Sequence, residues 1–242
     1  MNVYGRARVR MSDLTPGVLL LALLALPAFG AEPADPAAMP CPGAIAWNAA
    51  HPEESDAAMA RRDAARSFGD PALRAALAER FQRDQEARVA WLAYPANARL
   101  RQRVRELDAD NLAWLIRLVR DKGFPSAAQV GELGVRQAWL LAQHADQAPQ
   151  FQAALLPTLE QRHADGELSG ITLSRYTDRV LVGQGKAQRY GTQFTPEAWA
   201  TSHFGLPDEQ SVREIDQHRR ELGIMPLADY VCMMSYARRR QP

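Results

Sequence analysis

The sequence has few cysteines and almost no net charge. Its 242 residues contain two cysteines, and 29 lysines and arginines against 28 aspartates and glutamates leave a formal charge of +1. Two cysteines without a CxxC or other metal-ligand spacing exclude a disulfide-rich scaffold and do not support a zinc or redox site. A near-neutral chain has no bulk attraction for phosphate backbones, so nucleic acid is not an expected partner. We expect no cofactor and no metal.

A hydrophobic run long enough to cross a membrane is also missing near the N terminus. The apolar stretch Val18–Phe29 has about a dozen residues and contains Pro27, whereas a spanning helix needs ~20. Basic residues precede this stretch, and small residues end it at the −3 and −1 positions of a cleavage: Arg6, Arg8 and Arg10, then Ala28 and Gly30. This pattern is typical of a secretory signal peptide over residues 1–30. The alternative is a translation start at Met11, without the arginines.

Export determines the expected compartment and charge of the mature protein. Cleavage near Gly30 removes three arginines and one aspartate, which changes the formal charge from +1 to −1. No cysteine follows the cleavage site directly, so a lipid anchor is not supported, and the apolar stretch is too short for a permanent membrane anchor. We therefore expect a periplasmic or secreted protein.

The two cysteines can form one intramolecular disulfide. Cys41 and Cys232 lie near the start and the end of the predicted mature chain, and an oxidising compartment favours their pairing. The alternative is two separate thiols, with Cys232 buried in the apolar run Tyr230–Met234.

The mature chain has the composition of one helical domain. With 47% hydrophobic residues it can bury a core, and residues 31–52, rich in alanine and proline, indicate a tether before a single domain over 53–242. Apolar spacing, capping residues and terminal glycines predict mainly α structure, including a long helix from Ala98 to Lys122. Ile171 to Val182 is ambiguous between helix and strand. The fold class is a compact helical domain with one small β-hairpin or loop insertion around 177–194.

Polar residues interrupt the apolar faces of several predicted helices. A buried Gln or Asn must find hydrogen-bond partners, at a cost of ~1–3 kcal/mol if it does not, so such residues form either a structural network or a ligand site. The candidates for substrate binding are Gln85, Asn111, Gln143, Asp146, Arg179, Gln188, Tyr190, Gln193, Arg219 and Arg220.

These residues occur in an ordered series of motifs that resembles a known family. The most specific are Gln143-His144-Ala145-Asp146, Thr177-Asp178-Arg179-Val180 and the QxYGTQ motif of Gln188–Gln193. The series is similar to an uncharacterised bacterial family of unknown function, DUF6624, over about residues 80–230. Phe124 stands where that family has Trp in a Gly-Trp-Pro motif. The resemblance supports these positions but implies no activity.

One interpretation of the series is catalytic. His144 has a side chain whose ordinary pKa suits proton transfer, with Asp178 or Asp146 to orient it and Arg179 to bind substrate or developing negative charge. No GxSxG motif or other nucleophile is evident, so His144 would assist the attack of water. This predicts a hydrolase-type enzyme acting on a small polar or cell-envelope substrate.

The other interpretation is structural. His144 and Asp146 would cap helices, and Asp178–Arg179 and Asp216 with Arg219 or Arg220 would form ion pairs that hold the predicted hairpin. The protein would then be a non-catalytic periplasmic binding, inhibitor or immunity-type protein. Its partner would be an unknown small polar ligand or an envelope protein.

Overall fold

The computed structural model describes residues 40–194 and 209–239. Nine α-helices form in these ranges, with a 3-10 turn at Pro52–Glu54 between the first two. The helices are α1 Pro42–Ala50, α2 Asp56–Ala64, α3 Pro71–Ala93, α4 Ala98–Lys122, α5 Ala127–Gln143, α6 Pro149–Ala164, α7 Gly170–Gly183, α8 Glu209–Glu221 and α9 Leu227–Arg239. The predicted mainly helical class is confirmed. The predicted signal peptide, residues 1–30, lies outside the described residues.

The ends of α3 and α4 follow from local side-chain chemistry. Asp70 accepts a hydrogen bond from the backbone N–H of Leu73 at 2.9 Å, and Pro71 begins α3 where no N–H is needed. Asn97 caps α4 in the same way, and Gly123 ends it with a φ of +78°, a conformation that favours glycine. The predicted helix from Ala98 to Lys122 is therefore confirmed.

The main core lies between α3, α4, α5, α6 and α7. Helix α5 packs against α2, α3 and α4, while α6 packs against α7. The residues that fill this core are mostly aliphatic and include Leu77, Leu115, Val135, Leu141 and Leu159, none of which is more than 1% exposed. This packing holds the C-terminal end of α5 against the middle of α3 and α4, where polar side chains collect.

Helix α5 contains a break that another helix caps. Gly131 has a φ of +76° inside α5, so the backbone N–H groups of Glu132 and Leu133 lack helical partners. Asp63 of α2 accepts hydrogen bonds from both groups, at 2.8 and 3.2 Å, and forms an ion pair with Arg74 of α3 at 3.0 Å. A buried carboxylate thus fixes the start of the segment that ends at His144.

The predicted Cys41–Cys232 disulfide is present. It joins the residue before α1 to α9, and its Cα atoms are 5.8 Å apart. A second apolar cluster surrounds it, in which Ala44, Met225 and Tyr230 are buried. Residues 42–50 of the segment interpreted as a tether therefore form a helix, because α1 packs against α9 and is bonded to it.

The predicted β-hairpin around 177–194 is not supported. Residues 170–183 form α7, whose first turn is capped by Ser169, and residues 184–194 contain no strand. The side chain of Gln188 makes the two bonds that a partner strand would have made. Its amide accepts from the N–H of Gln193 and donates to the Gln193 carbonyl, both at 2.7 Å. The alternative of a loop insertion describes this segment.

No helix in the described ranges is both long and apolar enough to span a bilayer.

Candidate functional site

A buried carboxylate on α3 is the centre of the polar region. Asp84 is 1% exposed, and its oxygens accept hydrogen bonds from the amide of Gln85 at 2.7 Å and from Nε of Arg88 at 3.2 Å. Arg88 is one helical turn further along α3, so both side chains point the same way. A buried ionised carboxylate needs partners of this kind, because desolvation without them costs several kcal/mol.

Arg88 connects Asp84 to a second carboxylate on α4. Its Nη2 donates to Asp108, so one guanidinium bridges two helices. The Asp108 side chain is 19% exposed and that of Arg88 16% exposed, which leaves this side of the pair open to solvent.

His144 completes this group at the C-terminal end of α5. Its Nδ1 lies 3.2 and 3.3 Å from the two oxygens of Asp84, and its side chain is 16% exposed. Among the described residues the ring is hydrogen-bonded through Nδ1 only, so Nε2 is not used. We call Asp84, Arg88, Asp108 and His144 the Asp84 cluster.

Burial and nearby charges together lower the pKa values of both His144 and Asp84. Burial lowers the pKa of His144, and the nearby Arg88 and Arg179 act in the same direction against its bond to Asp84. Burial alone would raise the pKa of Asp84, but the hydrogen bond from His144 and the charges of His144 and Arg88 outweigh it and hold the pKa below its usual range. At neutral pH His144 is therefore neutral, with Nδ1–H donating to an ionised Asp84 and a lone pair on Nε2.

Three of the predicted substrate-binding residues lie buried next to this cluster or on its helices. Gln85 is 5% exposed, Asn111 3% and Gln143 8%. Asn111, which lies one turn beyond Asp108 on α4, accepts a hydrogen bond from Arg80 at 2.9 Å. Each of the three keeps one buried polar atom without a hydrogen-bond partner among the described residues, namely Gln85 Oε1, Asn111 Nδ2 and Gln143 Oε1. A bound water or ligand can satisfy such atoms.

A second polar group joins the segment after α5 to α7. Asp146 forms an ion pair with Arg179 in which the Arg179 Nε lies 2.7 Å from Asp146 Oδ1, and Nη1 of Arg179 donates to Gln193 at 3.1 Å. Gln152 donates to the Gln143 carbonyl at 3.1 Å and so steadies the same turn. These contacts bring Arg179 and Gln193 to Asp146, which follows His144 by two residues in the sequence.

Asp178 has a different position from the one the catalytic interpretation gave it. His144 takes Asp84 as its carboxylate partner rather than Asp178 or Asp146. Asp178 is fully buried and accepts from the backbone N–H groups of Arg189, Tyr190 and Thr192 at 2.8, 3.0 and 2.8 Å, and from the Thr192 hydroxyl at 2.8 Å. It is an anchor for the loop after α7, because four donors converge on one carboxylate.

The remaining predicted site residues lie around this loop. Arg219 is 1% exposed and donates to the carbonyls of Met225 and Tyr190, both at 2.6 Å, with its guanidinium 4.8 Å from the Tyr230 ring. Tyr190 is buried, while Arg220 is exposed. Asp216 accepts from the Leu227 N–H at 2.8 Å rather than pairing with either arginine. These contacts hold the loop against α8.

Sequence reasoning missed Arg88 and Asp108 and assigned no role to Asp84. A usable signal was present, because Arg88 follows Asp84 by four residues and Asp108 precedes Asn111 by three. Both spacings put the pairs on one helical face. What the sequence could not indicate was that the two faces meet at the end of α5.

A divalent cation could be held only by part of this cluster. One ligand atom from each of Asp84, Asp108 and His144 lies within 4.8 Å of the others. The Arg88 guanidinium already bonds to both carboxylates and offsets one of their two negative charges. A cation would have to displace Arg88 and would gain three protein ligands, one fewer than a closed tetrahedral site uses.

The ionisation of Asp108 should lower stability. Burial, together with the charges of Asp84 and Asp146, raises its pKa to about 6 against the attraction of Arg88. The folded chain thus binds this proton more tightly than the unfolded chain, so stability falls as pH rises from about 4 to 6. Asp108→Asn should remove that loss. Measured by urea unfolding, the free energy of unfolding of the variant should rise by about 1–2 kcal/mol relative to that of wild type as the pH goes from 4.5 to 7.5.

Asp110→Asn is the matched control for this prediction. Asp110 is on the same helix and 53% exposed, and its hydrogen bond from Arg80 lowers its pKa. The ionised Asp110 stabilises the fold above pH 4, and this effect is lost as pH falls. Asp110→Asn should therefore not gain stability relative to wild type as the pH rises to 7.5. Parallel pH profiles for wild type and Asp108→Asn would contradict the prediction.

The fold and the site define a class: an all-helical domain, over its described residues, with a buried Asp hydrogen-bonded to a partly exposed His where α3, α4 and α5 meet. The chain belongs to the family of unknown function DUF6624, whose family model matches residues 71–239. The match begins at α3 and so includes the Asp84 cluster and the Asp178 loop, as the motif resemblance indicated. No curated protein and no solved structure gives a significant match to the chain.

Proposed function

We propose that this protein is an exported hydrolase-type enzyme that acts on a small polar or cell-envelope substrate, with His144 as its general base. The observation that carries the proposal is the hydrogen bond between His144 Nδ1 and the buried Asp84 carboxylate. A carboxylate on one ring nitrogen sets the tautomer and leaves the other nitrogen as a proton acceptor.

The arrangement supports a simple sequence of proton transfers. Nε2 of His144 removes a proton from a water molecule while the water oxygen bonds to the electrophilic atom of the substrate. Asp84 remains ionised and stabilises the imidazolium that results. The imidazolium then returns the proton to the leaving group as the substrate bond breaks, which restores neutral His144.

Neighbouring groups support substrate binding at the same place. Arg88 and Arg179 are both close enough to lower the pKa of His144, so either can stabilise negative charge that develops during attack. Asp178 is a positioning residue in this proposal, since it holds the loop that carries Gln193 against Arg179.

The export part of the proposal rests on residues 1–30 and on the disulfide. A disulfide persists in an oxidising compartment, which is consistent with a periplasmic or secreted protein. Finding residues 1–30 intact on cytosolic protein would contradict it.

The test is a screen of chromogenic ester, amide and phosphoester substrates, followed by variants on whichever substrate is hydrolysed. His144→Gln should lower kcat/KM at least about 100-fold, because it removes the base. Asp84→Asn should cause a loss of similar size by favouring the wrong tautomer. His218→Gln is the matched control, since that histidine is 45% exposed on α8 and should retain full activity.

Two outcomes would contradict the catalytic proposal. One is a wild-type protein that hydrolyses none of the substrates while binding a small polar ligand, which would favour the binding role. The other is a hydrolysis rate that His144→Gln leaves unchanged although the variant melts at the wild-type temperature. Prior incubation with a chelator should leave the activity unchanged, because the proposal uses no metal.

A further inference from the structure

The turn between α3 and α4 carries a concentration of positive charge. No acidic residue occurs between Glu86 and Glu106, whereas Arg99, Arg101, Arg103 and Arg105 follow one another in the first two turns of α4. All four side chains are exposed. The mature chain as a whole has a predicted charge near −1, so this patch is a local departure from a balanced surface.

These four arginines have no carboxylate partner among the described residues, unlike about half of the other arginines in the same ranges. Across the described residues, ten other arginines form an ion pair with Asp or Glu: Arg62, Arg66, Arg74, Arg80, Arg83, Arg88, Arg120, Arg136, Arg162 and Arg179. Arg101 instead donates to the Pro95 carbonyl at 2.9 Å and Arg105 to Gln102. Their positive charge is therefore not neutralised within the protein.

The position of the arginines at the start of α4 is also unfavourable for the stability of that helix. The N-terminal end of a helix has a partial positive charge, which favours acidic side chains and disfavours basic ones. The first turn of α4 contains no acidic residue, and its basic residues repel that end. Stability alone would favour Asp or Glu at the positions of Arg99 and Arg101 in the first turn, so these two arginines fit a role outside the fold.

Exposed aromatic and apolar side chains lie beside the arginines. Tyr94 is 68% exposed and Val89 45% exposed, and they are two of the four large hydrophobic residues left exposed in the described ranges. Trp91 is half-buried, and its indole N–H lies 3.4 Å from the Pro95 carbonyl that Arg101 also contacts. Aromatic side chains with polar edges next to arginines are typical of the membrane–water interface.

We propose that the α3–α4 tip, formed by Trp91, Tyr94, Arg99, Arg101, Arg103 and Arg105, docks on the surface of an anionic phospholipid bilayer. Arg99 and Arg103 lie on one side of α4 and Arg101 and Arg105 on the opposite side, so the tip meets the bilayer end-on, with the helix axis steep to the surface. In this orientation the guanidinium groups of both sides bind lipid phosphates, and Tyr94 and Trp91 lie at the headgroup level. The contact is peripheral, because no described helix is apolar enough to span the bilayer. Its occupant is a lipid surface rather than a single small anion, since the charges are spread along two helical turns.

The test measures co-sedimentation of the full mature chain with vesicles of phosphatidylcholine containing 30% phosphatidylglycerol, at low and high salt. Wild type should bind these vesicles, fail to bind pure phosphatidylcholine, and be released at high salt, where surface charges are screened. Arg99→Glu/Arg103→Glu should bind at least about 30-fold more weakly, since each lost arginine costs about fivefold and each added glutamate is repelled by the anionic lipid. Tyr94→Ser should weaken binding without changing the salt dependence.

The control is Arg117→Glu/Arg120→Glu, which makes the same charge change on exposed residues toward the other end of α4. This control should still bind. The first double variant should melt close to the wild-type temperature, because Arg99→Glu suits the helix start and Arg103→Glu changes an exposed residue of the next turn. A loss of binding in this variant then does not come from unfolding. Equal loss in both double variants, binding to uncharged vesicles, or equally tight binding to soluble polyglutamate would overturn the proposal.

Discussion

Removal of the Cys41–Cys232 disulfide should lower the free energy of unfolding by about 5 kcal/mol. The bond closes a loop with a sequence separation of 191 residues, and the entropy that a cross-link removes from the unfolded chain grows with loop length. Urea unfolding of Cys41→Ser/Cys232→Ser and of reduced wild type should show the same loss. For a domain of this size, the melting temperature should fall by about 10–20 °C.

The reducing agent itself needs a control in this experiment. Adding it to Cys41→Ser/Cys232→Ser should change nothing, because the structure describes no other cysteine and the sequence contains none. Helix α1 should also become accessible to protease when the bond is absent, since α9 holds it in place. Equal stability of the oxidised and reduced protein would contradict the prediction.

Asp178→Ala should lower the free energy of unfolding by about 4 kcal/mol. The substitution leaves three backbone N–H groups and the Thr192 hydroxyl without their acceptor inside the protein. Unsatisfied buried donors cost about 1–3 kcal/mol each when no water replaces the partner, and breaking a buried charged network costs about 3–5 kcal/mol in total. Thermal and urea unfolding measure this loss.

Two graded variants distinguish an anchoring role from a catalytic one. Thr192→Val removes one of the four hydrogen bonds to Asp178 and should cost about 1 kcal/mol. Asp178→Asn keeps the shape but places an NH2 group against N–H donors, so its loss should be between the other two. If Asp178→Ala unfolds like wild type, Asp178 is not the anchor that its contacts indicate.

The helix boundaries could be predicted because their causes are local. Asp70 before Pro71, and Asn97 and Gly123 at the two ends of α4, act within one turn of the residues they cap. The break in α5 could not be predicted in the same way. The carboxylate that satisfies the backbone beyond Gly131 comes from Asp63, and these residues are far apart in sequence.

The error at residues 177–194 has an identifiable physical reason. Ile171, Val180 and Val182 are β-branched and suit a strand. The apolar residues by which α7 packs in the main core are instead Leu173, Tyr176 and Val180, which recur at helical spacing, while Val182 is exposed. A turn follows α7 at Gln184 and Gly185, yet the chain beyond it folds back on Asp178 and Gln188 rather than on a strand. Hydrogen bonds to the side chains of Asp178 and Gln188 take the place of the strand-to-strand hydrogen bonds that the sequence pattern predicted.

The candidate site was predicted only in part, because it depends on how three helices meet. Gln85 and Asn111 were recognised because they are polar at apolar positions, and His144 because its ordinary pKa suits proton transfer and it lies in the Gln143-His144-Ala145-Asp146 motif. The partner of His144 could not be chosen among Asp84, Asp146 and Asp178 without the packing of α3 against α5. Asp178 is as deeply buried as Asp84, but its oxygens already accept hydrogen bonds from backbone N–H groups.

The disulfide also determines how the protein would respond to mechanical tension. A pull applied between the chain before Cys41 and the chain after Cys232 is carried by a covalent bridge whose Cα atoms are only 5.8 Å apart. The intervening helices, with the Asp84 cluster and the Asp178 loop, lie outside that load path. Stretching the two ends of the oxidised protein should therefore leave its site geometry intact, whereas the reduced protein would unravel from α1 and α9 inward.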